Sequence, residues 1–216
     1  MERVCCIIGA MEPGKLILPE GALVVAADGG LTHLERRGII PDLIVGDFDS
    51  LGRIPEGPGV IRHPVEKDDT DMMLAVKTGL DRGYRQFMLY GGLGGRLDHA
   101  YANLQTLTWL ADRGARGWLL GGGMAATVIR NGRLDFPPGR RGTISVFCPN
   151  GEARGVYLTG LYYPLEDAVL TSGFPLGVSN QFTGEAASVS VRSGSLLIMW
   201  EQAEDTPLPG QLPPAR

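Results

Sequence analysis

The sequence predicts an α/β protein, with a mostly parallel sheet covered by helices on both faces and a small antiparallel β-sandwich domain after it. Three observations predict this. Up to about residue 136, short apolar runs alternate with stretches of helical spacing, the pattern of strands joined by covering helices. Pro137-Pro138-Gly139-Arg140-Arg141-Gly142 then breaks the chain. Beyond that break, only short β-type runs separated by turn residues remain, and none has helical spacing.

The elements follow in order. Val4 to Ile8 is a buried strand closed by Gly9, and Leu23 to Ala27 is a second, followed at once by Asp28-Gly29-Gly30. Leu31 to Arg37 has helical spacing and Gly38 stops it. Pro41 precedes a third strand, Leu43-Ile44-Val45, and Val60-Ile61 is a short fourth. Asp71 to Arg82 is an amphipathic helix with Met72, Met73, Val76 and Leu80 along one face. Gln86 to Tyr90 is a fifth strand. The loop Gly91-Gly92-Leu93-Gly94-Gly95 leads from it into a helix from about Leu97 to Asp112, closed by Gly114. Trp118-Leu119-Leu120 begins the next strand. This gives a Rossmann-like α/β domain over 1–136. A sandwich over 143–202 is built from the runs 143–147, 155–158, 168–170, 187–191 and 196–200, and a Pro-rich tail, 203–216, is expected to be disordered or loosely attached.

The bulk properties narrow the classes of function. A net charge of -4 offers no global basic field to nucleic acid or to an anionic membrane, so an anionic ligand needs local cations or a metal. No apolar run approaches the roughly 20 residues that span a bilayer, and no charged-then-apolar leader opens the sequence. A cytoplasmic protein is expected. Cys5 and Cys6 are neighbours in an apolar strand and Cys148 lies in another, which reads as three small buried hydrophobes and no metal pattern.

Four polar clusters fall where a strand has just ended, the edge at which open α/β sheets bind ligands. They are Asp28; Asp47 with Asp49; the stretch 67–71; and the stretch 91–99. In Gly46-Asp47-Phe48-Asp49-Ser50, a continued strand would project both carboxylates to one side and Phe48 to the other. Two such carboxylates suit a hard divalent cation, Mg2+ above all; a polar turn with capping Asp and Ser is the structural alternative. Glu66-Lys67-Asp68-Asp69-Thr70-Asp71 sets a lysine among four acids just before a helix. Thr70 and Asp71 suit a helix N-terminus, which leaves Lys67 unexplained. Lysine serves phosphate as a point charge. Asp71 is a third carboxylate for the metal set.

The glycine loop exposes backbone N–H groups to phosphate through Gly92, Gly94 and Gly95, although it completes neither a P-loop nor a dinucleotide fingerprint. Arg96, directly after it, offers a fork of donors for phosphate oxygens. Asp98 reads as functional or as a first-turn helix partner, and His99 as functional or as surface. His33 and His63 are lone histidines with structural roles, and Lys15 is an ordinary surface lysine. One site at a single sheet edge explains the four clusters together, whereas a structural account must explain each turn separately.

Taken in this order, Asp28-Gly29-Gly30, Pro41-Asp42 with 46–50, the stretch 67–71 and the stretch 91–99 resemble the thiamine pyrophosphokinase family. Leu161-Tyr162-Tyr163-Pro164-Leu165 and Val178-Ser179-Asn180 resemble its thiamine-side segments, so the likeness covers residues 1 to 200. The resemblance implies an ATP-dependent diphosphotransferase that moves pyrophosphate from ATP to the hydroxyl of thiamine, giving thiamine diphosphate and AMP. It implies a nucleotide-binding catalytic domain over 1–136 and a thiamine-binding sandwich over 143–202. It also implies a homodimer with thiamine held between the α/β domain of one subunit and the sandwich of the other, and no nucleic-acid or membrane partner. Asp47, Asp49 and Asp71 match the Mg2+-binding acids. Asp28, Gly29, Lys67, Thr70, Arg96 and Asp98 match positions around nucleotide, metal or transferred group. Ser179 and Asn180 match the thiamine side. Tyr163 stands where some relatives carry a tryptophan that stacks on thiamine; tyrosine also stacks, and the departure bears on substrate orientation and affinity. Asp71 and Asp98 are the two candidates for the base. The competing functions are a pyrophosphokinase or metal-dependent phosphohydrolase acting on another small substrate, and a non-catalytic nucleotide sensor.

Overall fold

The computed structural model describes residues 3–49, 51–66 and 68–210. The described residues form two compact units, one from those within 3–106 and 117–122, the other from 107–116 and 123–210. In the first, β1 (Val4–Ile8), β2 (Leu23–Ala27), α1 (Gly30–Arg36), β3 (Leu43–Gly46), β4 (Val60–Arg62), α2 (Asp71–Asp81) and β5 (Gln86–Tyr90) follow one another. Helix α3 (Leu97–Ala111), which belongs to this unit up to Thr106, and β6 (Arg116–Gly121), which belongs to it from Gly117, come next. The strand order of this unit is β6-β5-β1-β2-β3-β4, and β1 pairs in parallel with both β2 and β5, as do β2 with β3 and β3 with β4.

Side chains account for this arrangement. All five residues of β1 are buried, the continuous apolar run of a strand covered on both faces. Helix α1 buries Leu31 and Leu34 and begins at Gly30, where a Cβ would come within 1.8 Å of the Ile8 carbonyl oxygen. Only glycine lets the helix start this close to the end of β1. The buried stripe of α2 is Met72, Ala75, Val76 and Gly79, while Met73 and Leu80, expected on that face, are only half-buried. The reason is the close approach at Gly79, where a Cβ would stand 2.7 Å from the Phe87 ring, so the helix packs through its smallest residues.

The second unit contains β7 (Met124–Arg130), β8 (Arg133–Phe136), β9 (Thr143–Phe147), β10 (Glu152–Thr159), β11 (Leu165–Thr171), β12 (Gly177–Gln181), β13 (Ala187–Ser193) and β14 (Ser195–Glu201). They run in the orders β12-β9-β14-β7 and, in a separate sheet, β11-β10-β13-β8, with antiparallel pairings. No helix lies among its described residues after the break at 137–142. Strands β7 and β8 lie before that break in sequence, yet they pair with β14 and β13. Strand β10 shifts register at Gly155, whose φ of 65° marks a bulge. The core is aromatic: Phe136 of β8 meets Trp200 of β14 edge-on at 5.4 Å and Phe182 at 5.0 Å. The first part of the Pro-rich tail is tied to this unit. Buried Arg140 donates to the Pro207 carbonyl, Gln202 donates to the Thr206 carbonyl at 2.5 Å, and Pro209 is buried. The end of the tail, 211–216, lies outside the described residues.

Candidate functional site

The acidic pair does not come from a continued strand. Strand β3 ends at Gly46, and Phe48 takes a left-handed φ of 66° while burying its ring. The backbone turns, and Asp47 Oδ1 accepts the Asp49 N–H at 3.2 Å. The turn, where the pleat was expected, thus brings the two carboxylates together. A third joins them from the neighbouring strand. Asp28 follows β2 with φ 45°, donates its N–H to the Val45 carbonyl at 2.9 Å, and is buried. Carboxylate oxygens of Asp28, Asp47 and Asp49 lie within 4.8 Å of one another. Gly46 makes this convergence possible: a Cβ there would press to 3.2 Å from both Cα and Cβ of Asp28. The sequence assigned Asp71 as the third acid of this set and Asp28 to the surroundings of nucleotide, metal or transferred group. The structure puts Asp28 in the cluster, and Asp71 lines the same cleft outside it. Three hard oxygen donors this close repel one another without a cation between them, and oxygen-only donors suit Mg2+.

The cleft has a volume of about 430 Å³ and lies wholly within the first unit. Asp28, Asp47, Asp69, Thr70 and Asp71 line it, as do Gly9, Ala10, Gly91 and Gly92 from the segments after β1 and β5. Gly91 has φ 64°, Gly94 φ 90° and Gly95 φ 64°, so the loop after β5 takes a path that L side chains rarely adopt. Asn103 on α3 is buried and donates from Nδ2 to the Gly92 carbonyl at 2.8 Å, pinning the loop to the helix. Sequence reading passed over Asn103, because an asparagine inside a helix carries no signal until the loop it holds is known. Gly29 is the N-cap residue of α1.

At the start of α2, Thr70 is the N-cap and its Oγ1 accepts the Met73 N–H at 3.2 Å. The structural alternative weighed for Thr70 is therefore present, and Thr70 lines the cleft as well. Asp69 is engaged by Lys77 at 2.6 Å. Lys67 and Ser50 lie outside the described residues.

Arg96 and Asp98 bind each other as a fork, Nη2 to Oδ2 at 2.6 Å and Nε to Oδ1 at 3.2 Å. Asp98 also accepts the His99 N–H at 2.9 Å. Neither Arg96 nor Asp98 is among the described residues lining the cleft, whereas His99 is. The Arg96 hydrogen bonds hold the Asp98 carboxyl down at about 2, below the usual carboxylate range. The ion pair is exposed, so solvent screens it. The sign follows: the lowered value favours the ionised form, a contribution present above the ordinary pKa and lost as pH falls through about 2. A carboxylate held this low is a weak proton acceptor. In Arg96→Ala, the Asp98 titration followed by NMR should move up toward the ordinary value near 4; an unmoved titration would mean that the fork does not persist in solution.

In the second unit, Asn180 is buried and its amide bonds internally. Oδ1 accepts the N–H groups of Tyr163 at 2.9 Å and Gln181 at 2.8 Å, and Nδ2 donates to the Tyr163 carbonyl at 2.6 Å. Tyr163 is exposed and meets the Tyr162 ring edge-on at 4.8 Å. Ser179 has φ 58° and donates its N–H to Ser145 Oγ at 3.1 Å. Asn180 therefore fixes the turn that presents Tyr163. The thiols play no part: Cys5 and Cys6 are buried in β1, and burial pushes the Cys6 thiol up to about 12.

The family model described as "Thiamin pyrophosphokinase, catalytic domain" matches residues 15–119, and the one described as "Thiamin pyrophosphokinase, vitamin B1 binding domain" matches residues 133–196. The chain belongs to the thiamin pyrophosphokinase family. Within it, the chain is 29% identical over 187 residues to the thiamine pyrophosphokinase of Bacillus subtilis strain 168, covering 83% of this chain and 87% of that one. A crystal structure of thiamine pyrophosphokinase from Bacillus subtilis superposes with a TM-score of 0.78 at 27% identity, over 93% of this chain and 99% of that chain. Thiamin pyrophosphokinase from Candida albicans shares the fold alone, at 16% identity and TM-score 0.74, covering 94% of this chain and 90% of that chain. The thiamin pyrophosphokinase matches fall on both halves that the sequence reading separated. The catalytic match contains the acidic cluster and the glycine loop, and the vitamin B1 binding match contains Tyr163, Ser179 and Asn180.

Proposed function

We propose that this chain transfers the terminal pyrophosphate of ATP to the hydroxyl of thiamine, giving thiamine diphosphate and AMP. The observation that carries the reading is the cluster of Asp28, Asp47 and Asp49 beside a glycine-loop cleft, in a chain whose two halves match the catalytic and vitamin B1 binding models. The hydroxyl oxygen forms a bond to the β-phosphorus as the bond from that phosphorus to the α,β-bridging oxygen breaks, and AMP leaves with the bridging oxygen. Such an in-line displacement needs positioning and charge neutralisation more than covalent help. Mg2+ held by Asp28, Asp47 and Asp49 supplies part of that neutralisation when bound. The glycine-loop backbone receives phosphate oxygens. Arg96, by exchanging Asp98 for phosphate, and Lys67 supply further positive charge. Asp71, on the cleft wall outside the acidic triad, is the proton acceptor we favour over Asp98, which Arg96 keeps weakly basic.

We place nucleotide binding in a mostly parallel, Rossmann-like domain over 1–136 and thiamine binding in 143–202, with Tyr163 stacking on the thiamine ring, Asn180 holding Tyr163 in place and Ser179 beside them. The protein acts as a cytoplasmic homodimer in this reading. No helix among the described residues is long and apolar enough to cross a membrane. The test is incubation with ATP, Mg2+ and thiamine followed by chromatographic resolution of the products. Thiamine diphosphate and AMP in equal amounts are expected. ATP consumption independent of thiamine would instead indicate a hydrolase or another acceptor, and ATP binding without turnover a sensor.

A further inference from the structure

We propose that His33, outside the cleft, is a positioning residue for the nucleotide: with Glu12 and Arg37 it clamps the backbone that forms one wall of the cleft. This rests on reading that cleft as the ATP site. Gly9 and Ala10 line the cleft directly after β1, and His33 is not among its described lining residues. From α1, the buried His33 ring reaches back to this segment, with Nε2 2.9 Å from the Ala10 carbonyl oxygen. A carbonyl only accepts, so Nε2 carries the hydrogen. Nδ1 makes no hydrogen bond among the described residues, and the Glu12 carboxylate lies 3.6 Å from it, so Glu12 joins the clamp through Arg37. Arg37 completes the grip, donating to Glu12 at 2.7 Å, to the Gly14 carbonyl at 3.4 Å and to the His33 carbonyl at 3.1 Å. The last turns of α1 thus hold the chain at residues 10, 12 and 14.

On its other side, the clamped segment touches the glycine loop. Gly9 donates to the Tyr90 carbonyl at 2.8 Å and Met11 to the Gly91 carbonyl at 3.2 Å. A Cβ on Gly91 would stand 2.4 Å from the Met11 carbonyl oxygen, and one on Gly95 would stand 2.8 Å from the Met11 side chain. With contacts this tight, the segment 9–11 and the loop 91–95 have no room to move independently. Releasing Ala10 loosens two backbone walls of the cleft at once and leaves the acidic cluster unchanged.

Steady-state kinetics with ATP, Mg2+ and thiamine tests this on the full chain. In His33→Leu, KM for ATP should rise about tenfold, the usual scale of one lost buried hydrogen bond with a partner left unpaired. KM for thiamine and kcat should each stay within about twofold. His33→Gln, whose amide can donate to the Ala10 carbonyl, should recover most of the ATP KM. An unchanged ATP KM in folded His33→Leu overturns the proposal, as does an equal loss in kcat and both KM values, or a failure of glutamine to rescue. If His33→Leu does not fold, Glu12→Ala decides, since Glu12 is exposed: a rise of about threefold in ATP KM supports the clamp, and no change overturns it. A wild-type chain without affinity for ATP overturns the functional reading, and the clamp with it; a wild type that binds ATP beside an unaltered His33→Leu overturns the clamp alone.

Discussion

Asp47→Asn should abolish most turnover, lowering thiamine diphosphate formation by about three orders of magnitude, while the protein stays folded. The substitution keeps shape, and an asparagine Oδ1 can still accept the Asp49 N–H that Asp47 Oδ1 accepts at 3.2 Å. It removes one negative charge from three carboxylates whose oxygens lie within 4.8 Å of one another. Without metal that removal relieves repulsion, so the melting temperature of the metal-free mutant should equal or exceed that of the wild type. With Mg2+ present the order should reverse, because a ligand that binds only the folded state stabilises it in proportion to its affinity. Activity measured beside melting curves with and without Mg2+ checks both parts. A mutant that melts lower than wild type in metal-free buffer would show Asp47 to be a structural carboxylate. A mutant that keeps full turnover would remove the triad from the chemistry.

The first unit was legible because its central strands β1 and β5 are buried almost throughout and its helices carry their own punctuation. Gly38 and Gly114, with φ of 66° and 67°, end α1 and α3 where the sequence placed the stops. The site was legible as clusters at strand ends, since strand order brings the end of β2 beside the end of β3. What the clusters do individually was less legible. Phe48 was expected to hold an extended pleat, but its burial drives a left-handed turn, and a local pattern does not show that tertiary demand. Asp28 was placed near nucleotide, metal or transferred group and not in the acid set, because Asp47 and Asp49, its neighbours in the cluster, follow a different strand. Strands β7, β8 and β12 went unread. In β7 the run includes Ala125 and Ala126, residues of weak strand preference, β8 is four residues long, and β12 carries Gly177, Ser179, Asn180 and Gln181, a composition that reads as loop. His33 was read as structural and Asn103 was not singled out, for one common reason. Each acts on a backbone carbonyl of a distant loop, and no spacing rule in one sequence encodes such a contact.

Asn180→Ala should cost about 1–3 kcal/mol of stability in the second unit, because one deletion removes a buried amide and its three hydrogen bonds. The carboxamide is buried and makes three hydrogen bonds, two of them closing a pair with the N–H and C=O of Tyr163. Alanine leaves those backbone groups to find water at a site shaped around the amide. Tyr163 then loses the amide that clasps its backbone N–H and C=O, and the exposed ring is freed to swing. The functional effect should therefore pass through Tyr163. KM for thiamine should rise together with the loss of stability, and KM for ATP should stay near that of the wild type. Tyr163→Phe separates position from chemistry, since it keeps the ring and its backbone clasp and should leave stability and thiamine KM nearly unchanged if stacking is the ring's role. Denaturant melts and steady-state KM values for both substrates check these outcomes. If Asn180→Ala raised thiamine KM with no loss of stability, the amide would have to leave Tyr163 and bind thiamine itself in the working enzyme. If it cost stability and left thiamine KM alone, the clasp would serve the fold and Tyr163 would not be part of the thiamine site.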